Sequence, residues 1–378
     1  MHEESPKRVL LVGATGYAGR KLANYLLTST DVTVILSGRN RSKLGNLQSS
    51  LPAVDLSRRT ELLELDAANI DVAALTDFDL LVNATGTGRH NALMIQACLE
   101  RRADWIDMQM TNELLNPPTE LRAKIERAGC RFVIQAGFHP GILAALVRHA
   151  AQQMDTIHSA IVGSVIRDEG GVPFTSGVTE LVESFRDYKS EMYKDGRWQK
   201  LDYAAYPMVE FEYGFGKLRA YPVEMPELRR LPELLPDLKN TGFFVAGFNW
   251  VADYLVTPLM MLSSNIAPRR TASWLGHLLS WSTRTFARPP YGTVVQVDAD
   301  GQCDDRPAHF RLSMFHEDAY VLTAVPTVAM IKQMLQDEFQ PGIHLMGLCC
   351  DPVQLLSDIE RMGISITQQL ETIHSRGT

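Results

Sequence analysis

The chain has 378 residues, 45% hydrophobic and 21% charged, with a formal net charge of −7. That length supports two domains with sizeable cores, and the composition excludes a disordered or fibrous chain. The acidic balance argues against a general nucleic-acid binder, which carries a basic excess.

The first 140 residues alternate in hydrophobic period. RVLLVG (8–13) is a continuous apolar run, as expected of a strand buried on both faces. Residues 17–28 place Ala18, Leu22, Tyr25 and Leu26 at helical spacing. VTVILSG (32–38) reads as the next strand, RSKLGNLQSSL as a helix, and ELLELD (61–66) and DLLVNATG (79–86) as strands. A helix over 90–101, a strand at DWIDM (104–108), a helix over 118–129 and a strand at RFVIQAG (131–137) complete the series. Strands and helices alternating in this way predict a parallel, doubly wound sheet.

Beyond a helix at 141–153 the character changes. SAIVGSVI leads into the punctuated stretch RDEGGVPFTSG, a helix is predicted over 178–192, and an aromatic, β-rich run follows. Residues 232–290 read as helical and apolar. TVVQVDADGQ and HFRLSMFH suggest an antiparallel pair with its turn near Asp300-Gly301, and AYVLTAVPTVAMIKQMLQ a strand followed by a helix. The segment 242–262 is about as long as a bilayer span, but Asn249, Asp253 and Pro258 interrupt it. A buried or substrate-facing helix is expected there, with membrane-surface contact left open. The N-terminal apolar run is too short for a signal peptide. The five cysteines show no CxxC spacing and are expected to be reduced thiols in a cytoplasmic protein.

The stretch VGATGYAG (12–19) carries the first functional signal. Gly13, Gly16 and Gly19 lie between a predicted strand and helix, the context in which a glycine turn holds a dinucleotide. The first glycine allows the tight turn, the second the approach of pyrophosphate, and the third close helix–strand packing. Thr15 and Tyr17 flank these positions, and the helix N-terminus supplies free N–H groups. The spacing is GxxGxxG, one residue longer than the commoner form, and a ligand-free packing turn is the plain alternative.

NAD-binding chains usually place an acidic residue at the end of the second strand. Here the stretch is SGRNRSK (37–43), with no Asp or Glu. Arg39, with Arg41 and Lys43, can pair with a 2′-phosphate, and Ser37 and Asn40 can donate to it. NADP(H) is therefore expected over NAD(H). NATGTGRHN (83–91) follows the fourth strand, and Asn83, Thr85, Gly86 and Thr87 are expected beside the nicotinamide half. Asp66, after the third strand, is a candidate acceptor for the adenine amino group.

The succession VGATGYAG, SGRN, LLVNATGTGRHNALMIQACLERRADWIDM and AGCRFVIQAGFHPGI resembles the saccharopine dehydrogenase-like oxidoreductases. The resemblance continues through EGGVPFTSG, YKDGRW, YPVEMPELRRLPELLPDL and PGIHLMGLCCDPVQLLSDIERMGI, with 242–290 poorly matched. It implies an α/β fold: a Rossmann-type doubly wound parallel sheet with an inserted α+β substrate domain on a mixed sheet. The NADP-binding domain is then expected over 1–142, with 326–378 packing back on it, and the substrate domain over 143–325. It also implies NAD(P)-dependent reduction, in opine-forming members of an imine. Their substrate loop G-L-D-P-G corresponds to Gly137-Phe138-His139-Pro140-Gly141, where His139 replaces the acidic residue. The GATGYAG spelling is similar to the branch containing enoyl reductases of lipid-like chains.

His139 is a candidate proton donor, since unperturbed imidazole titrates near neutrality. Asp107, ending the fifth strand, is a candidate contact to the nicotinamide ribose or carboxamide. Tyr213 and Lys217 have YxxxK spacing, but two intervening glycines disfavour the helix that this pair requires. No histidine set has metal-ligand spacing, and no metal is expected. Three readings stand: imine reduction on a small-molecule substrate, enoyl reduction of an apolar substrate, and a non-catalytic NADP(H)-binding redox regulator. No nucleic-acid partner is expected, and a homodimer is left open.

Overall fold

The computed structural model describes residues 6–52, 54–86, 88–110, 113–169, 189–247, 249, 251–256, 259, 268–336 and 339–372. The chain divides into two compact units, 1–142 with 320–362, and 143–319 with 363–378.

The first unit is a parallel sheet. Its strands are β1 (Arg8–Val12), β2 (Thr33–Gly38), β3 (Thr60–Glu64), β4 (Leu80–Asn83), β5 (Asp104–Asp107), β6 (Arg131–Ile134) and, from far along the chain, β15 (Gly342–Leu345). The order is β15-β6-β5-β4-β1-β2-β3, so the strand order reverses between β1 and β4, on either side of the glycine turn. The intervening helices are α1 (Tyr17–Ser29), α2 (Arg41–Ser49), α3 (Asn91–Arg101) and α4 (Thr119–Ala128). Leu10, Leu81, Trp105 and Phe132 from the sheet pack with Met94, Cys98 and Ile125 from the helices. Burying such side chains contributes roughly 1.5–3 kcal/mol each. This is the expected doubly wound α/β architecture.

The second unit is built on a mixed sheet. Its strands are β7 (Thr156–Arg167), β8 (Glu191–Lys194), β9 (Arg197–Lys200), β10 (Met208–Phe211), β11 (Gly216–Val223), β12 (Asn240–Ala246), β13 (Gly292–Cys303), β14 (Arg306–His316) and β16 (Ser365–Thr372). The main path runs β10-β11-β12-β7-β13-β14-β16, with β12 and β7 parallel and the other neighbours antiparallel. Helix α5 (Leu143–Gln152) packs against β7, β13 and β14. Val165, Phe244 and Val294 pack with Val209, Phe211 and Phe215. Helix α6 (Pro268–Phe286) also lies in this unit.

Several elements differ from the sequence expectation. The hairpin turn falls at Asp304-Asp305, both at positive φ, and not at Asp300-Gly301. Gly301 instead sits where the β13–β7 register shifts, and a Cβ there would lie 1.9 Å from the Thr156 carbonyl oxygen. That glycine marks a close backbone approach at an irregularity, not a turn. AYVLTAVPTVAMIKQMLQ is one helix, α7 (Ala319–Gln336), with Pro326 inside it. Because it is buried nearly all round, it shows neither a stripe nor an alternation. The apolar stretch 242–262 begins as strand: Phe243 and Phe244 belong to β12 and are buried. Of the helix expected over 178–192, residues 178–188 lie outside the described residues, and Glu191 opens β8. The return stretch 326–378 is divided between the units. Residues through Met362, including helix α8 (Pro352–Arg361), join the first, while β16 pairs with β14 in the second.

Candidate functional site

The glycine turn leaves β1 at its carboxyl end. Gly13 N–H and Ala14 N–H both donate to the Ser37 carbonyl, at 3.2 and 3.0 Å, and Ala84 N–H donates to the Val12 carbonyl at 2.9 Å. These bonds fasten the turn to β2 on one side and to the loop after β4 on the other. The three glycines then differ in what requires them. Gly13 has φ +85°, and a Cβ on it would sit 3.1 Å from Ala84 backbone atoms. A Cβ on Gly19 would lie 2.2 Å from the Gly13 carbonyl oxygen. Gly16 has ordinary extended dihedrals, and its Cβ would meet only the Gly13 oxygen, at 3.3 Å. The chain's own packing therefore excludes side chains at Gly13 and Gly19 but leaves space in front of Gly16. That space lies at the N-cap of α1, whose first turn carries no acidic residue. An open space before a helix N-terminus fits a pyrophosphate. Tyr17, 57% exposed, stacks on Tyr320 of α7 with ring centroids 5.2 Å apart.

Thr15 leans toward the end of β2: its Oγ1 would be 3.6 Å from a Cβ at Gly38. The basic cluster follows at once. Arg39, Arg41 and Lys43 are exposed, and among the described residues none of them forms an ion pair. Asn40 caps α2, its Oδ1 accepting Lys43 N–H at 2.9 Å, which leaves its amide N–H₂ as the available donor. The Ser37 side chain is fully buried and its hydroxyl donates to the Leu11 carbonyl, which fastens the end of β2 to β1. Asp66 is exposed, and its Oδ1 accepts Ala68 N–H at 3.1 Å in the turn after β3.

A buried polar network closes the ends of β4 and β5. Asn83, wholly buried, donates from Nδ2 to Asn91 Oδ1 (3.0 Å) and accepts at Oδ1 from Thr85 N–H (3.0 Å) and Thr85 Oγ1 (2.7 Å). Asn91 donates to Gln109 Oε1 at 2.9 Å, and Gln109 Nε2 donates to the Thr85 carbonyl at 3.2 Å. Asp107, expected to touch the cofactor, is wholly buried. Its Oδ2 accepts Trp105 Nε1–H (2.7 Å), and its Oδ1 accepts Gln109 N–H (3.0 Å) and Gln135 N–H (3.3 Å). Those bonds join β5 to the loop after β6. Sequence reasoning passed over Asn91, Gln109 and Gln135, and only the amide side chains following strand ends hinted at them. Gly86 is half-buried in the same loop as Asn83, and Thr87 lies outside the described residues.

The loop after β6 is drawn tight. Gln135 has φ +54°, Gly137 N–H donates to the Pro140 carbonyl at 3.1 Å, and a Cβ on Gly141 would lie 2.4 Å from the Gln135 oxygen. Thr327 of α7 donates its hydroxyl to the Ala136 carbonyl. Phe138 is 4% exposed, with its ring 3.9 Å from that of His139. Burial pushes the His139 imidazole down to about 4, against a hydrogen bond with its own backbone that favours the charged form. At neutral pH burial therefore favours the uncharged imidazole at His139, the candidate proton donor.

In the second unit, Arg167 ends β7 with its guanidinium 5.2 Å from the Phe215 ring centroid, and burial holds its pKa below the usual value. The neighbouring Asp168 carboxyl is raised to about 6 by burial and then by the Asp318 charge. Lys189 pairs with Glu224 at 3.9 Å. Tyr213 has φ +56° in the turn before β11, which removes any helical YxxxK pair. No described helix is long and apolar enough to cross a membrane.

Residues 9–133 match the saccharopine dehydrogenase NADP binding domain. Those residues belong to that domain family. Carboxynorspermidine synthase of Vibrio cholerae is 24% identical over 384 residues, spanning 89% of this chain and 91% of that one. The carboxynorspermidine synthase of Vibrio alginolyticus is 25% identical over 253 residues, 60% of each chain. Apo saccharopine dehydrogenase (L-Glu forming) of Saccharomyces cerevisiae superposes with a TM-score of 0.70 at 14% identity, covering 97% of this chain and all of the other. That likeness shows the shared fold. The chain is a saccharopine dehydrogenase-like oxidoreductase with an NAD(P)-binding domain, which implies a nucleotide cofactor and a small-molecule substrate.

Proposed function

We propose that this oxidoreductase uses NADP(H) to reduce a C=N bond formed between an amine and a carbonyl compound. The cofactor choice is carried by one observation. The end of β2 presents exposed Arg39 and Arg41 beside the glycine turn, with no carboxylate where an NAD site would hold the ribose. The Gly13–Gly19 turn and the α1 N-terminus would hold the pyrophosphate, and Arg39 with Arg41 the 2′-phosphate. Asp66 would meet the adenine, and Thr85, Gly86, Gly137 and Phe138 would border the nicotinamide half through their backbones. The bound cofactor supplies the hydride. The chain positions the two reactants, and the network around Asp107 keeps the loops after β4, β5 and β6 in one arrangement. Neutral His139 serves as a shape-setting or hydrogen-bonding group.

The reaction type is supported by the relatives named carboxynorspermidine synthase, whose product is a carboxylated amine. An apolar tunnel lined by 242–262 would favour the enoyl reading; the first residues of that segment belong to the largely buried strand β12. Oxidation of NADPH and NADH by the purified protein, with amines, carbonyl acids, their pairs and enoyl compounds, tests the proposal. Turnover that needs both an amine and a carbonyl compound, and that prefers NADPH, supports it. Turnover of an enoyl compound without amine, or a preference for NADH, overturns the corresponding half.

A further inference from the structure

Helix α6 turns an unusual face outward. Trp274 and Trp281 stand two turns apart and are 57% and 51% exposed. His277, Arg284 and Arg288 are exposed too and fall on the same side, the last just past the helix end. The opposite side, Leu275, Leu279, Ser282 and Thr283, is buried. Asn249 Nδ2 donates to the Ser282 carbonyl at 3.3 Å, which anchors that inner side. The helix packs against the turn Ala252–Val256, where Leu255 is 58% exposed, and Leu259 beyond it is 38% exposed. Single exposed apolar residues need no explanation, but two tryptophans on one helical stripe, with exposed Leu255 on the element packed against that helix, call for one.

The charge pattern says what such a patch meets. Residues 268–288 carry four arginines and no Asp or Glu, in a chain whose net charge is −7, and Asp253 on the neighbouring element is half-buried and interacts with Arg167. Tryptophan rings favour the headgroup level of a bilayer, where the ring is buried and the indole N–H stays wet. Arginine stems cover apolar surface while their guanidinium groups reach anionic headgroups. A second copy of the chain suits the face less well, because a two-fold contact would set this arginine-bearing stripe against itself. We propose that the outward face of α6, carrying Trp274, Trp281, Arg284 and Arg288, docks on the surface of an anionic lipid bilayer. The helix lies on the membrane and does not span it.

Co-sedimentation of the full chain with vesicles of phosphatidylcholine, with and without phosphatidylserine, tests this independently of any enzymatic reading. Binding to the phosphatidylserine vesicles is expected, weakening as salt is raised. A blue shift of tryptophan emission should accompany it. Trp274→Ser combined with Trp281→Ser should lower the partition coefficient by at least about tenfold. Arg284→Gln with Arg288→Gln should lower it on anionic vesicles while leaving the weak binding to phosphatidylcholine unchanged. All four positions are exposed, so unchanged dinucleotide affinity and melting temperature will show that the variants fold. Absence of wild-type binding, or full binding by the tryptophan variant, overturns the proposal. So does a dimer in sedimentation equilibrium that the tryptophan variant loses, which would make the face an interface between copies.

Discussion

The Ser37 carbonyl oxygen accepts the N–H of Gly13 at 3.2 Å. With the companion bond from Ala14, it holds the first turn of the chain against the end of β2, two residues before Arg39. Two stretches separated by more than 20 residues of sequence thereby become one surface, the glycine turn with its helix N-terminus and the basic cluster.

The glycines of the turn should separate by substitution. Gly16→Val asks far less of the chain's own packing than the other two positions, since a Cβ there meets a single atom, the Gly13 oxygen at 3.3 Å, which must yield by a few tenths of an ångström. It should keep the melting temperature within a few degrees and abolish dinucleotide binding by calorimetry. Gly19→Val places Cβ 2.2 Å from that same oxygen and should destabilise the first unit itself. Overpacking of this kind costs about 1–3 kcal/mol or more, visible as a lower melting temperature without any cofactor present.

Arg39→Asp replaces a partner for a 2′-phosphate with a repelling charge. Loss of a charged hydrogen bond costs about 1.5–3 kcal/mol, which is roughly a 10- to 150-fold change in affinity. The ratio of NADPH to NADH affinity should fall by at least that factor, measured by fluorescence titration of both cofactors. Equal ratios in wild type and variant would remove Arg39 from the cofactor site.

Asp107→Asn should act on stability. The Asp107 carboxylate accepts from the Trp105 indole and from two backbone N–H groups. An amide offers one acceptor oxygen in place of two and brings N–H₂ donors against existing donors. The penalty for a buried unsatisfied group is about 1–3 kcal/mol or more. A lower melting temperature with an unchanged pH–rate profile is expected. A selective loss of turnover at unchanged stability would return Asp107 to a direct role.

His139 carries a pH signature. Its folded-state value, about 4, lies below the unfolded one near 6.5. Between these values the unfolded chain binds the extra proton. The stabilisation is thus complete above about pH 6.5 and is lost as pH falls toward 4, by up to about 3 kcal/mol. His139→Gln should flatten the fall of unfolding free energy over that window in urea titrations at stepped pH. It should also leave the kinetic profile between pH 6 and 8 without a missing limb.

Asp168 has the opposite sign. Its carboxyl is raised to about 6 by burial and the Asp318 charge, so the folded chain holds the proton more tightly than the unfolded one. The contribution is present below about pH 4 and is lost as pH rises through 6. Asp168→Asn, which stays uncharged, should therefore be more stable than wild type at pH 8. The expected gain is about 1–2 kcal/mol, allowing for solvent screening of a half-exposed carboxyl. Equal stability at pH 8 would place the carboxylate in a better-solvated or paired setting.

Much of the first unit was legible because its signals are local. Strands buried on both faces read as unbroken apolar runs, helices between them keep a 3.6-residue stripe, and the turn spells its geometry in glycines. The elements misread in the second half carry ambiguous local signals. A helix buried on all sides, α7, has no stripe to show, and a buried strand such as β12 joined to a following apolar run resembles one long helix. Gly301 read as a turn because a glycine signals tight backbone wherever it occurs, whether at a turn or against the Thr156 carbonyl.

The candidate site divides the same way. That a dinucleotide turn exists, and that its β2 neighbour is basic, follows from residue order alone, since the turn's dihedrals and the charge of Arg39 belong to a few adjacent residues. The surroundings of Ser37, Asp107 and His139 are given only by the fold. Each is a polar residue at a strand end, where ligand contact and structural bonding look alike in sequence. Tertiary packing buried the Ser37 hydroxyl against Leu11, filled both oxygens of Asp107 with donors from β5 and the loop after β6, and drew His139 far enough from water to stay neutral. Desolvation and hydrogen-bond partners are set by residues distant in the chain, so the role of a polar side chain is a property of the folded molecule, whereas glycine spacing and apolar period belong to the sequence itself.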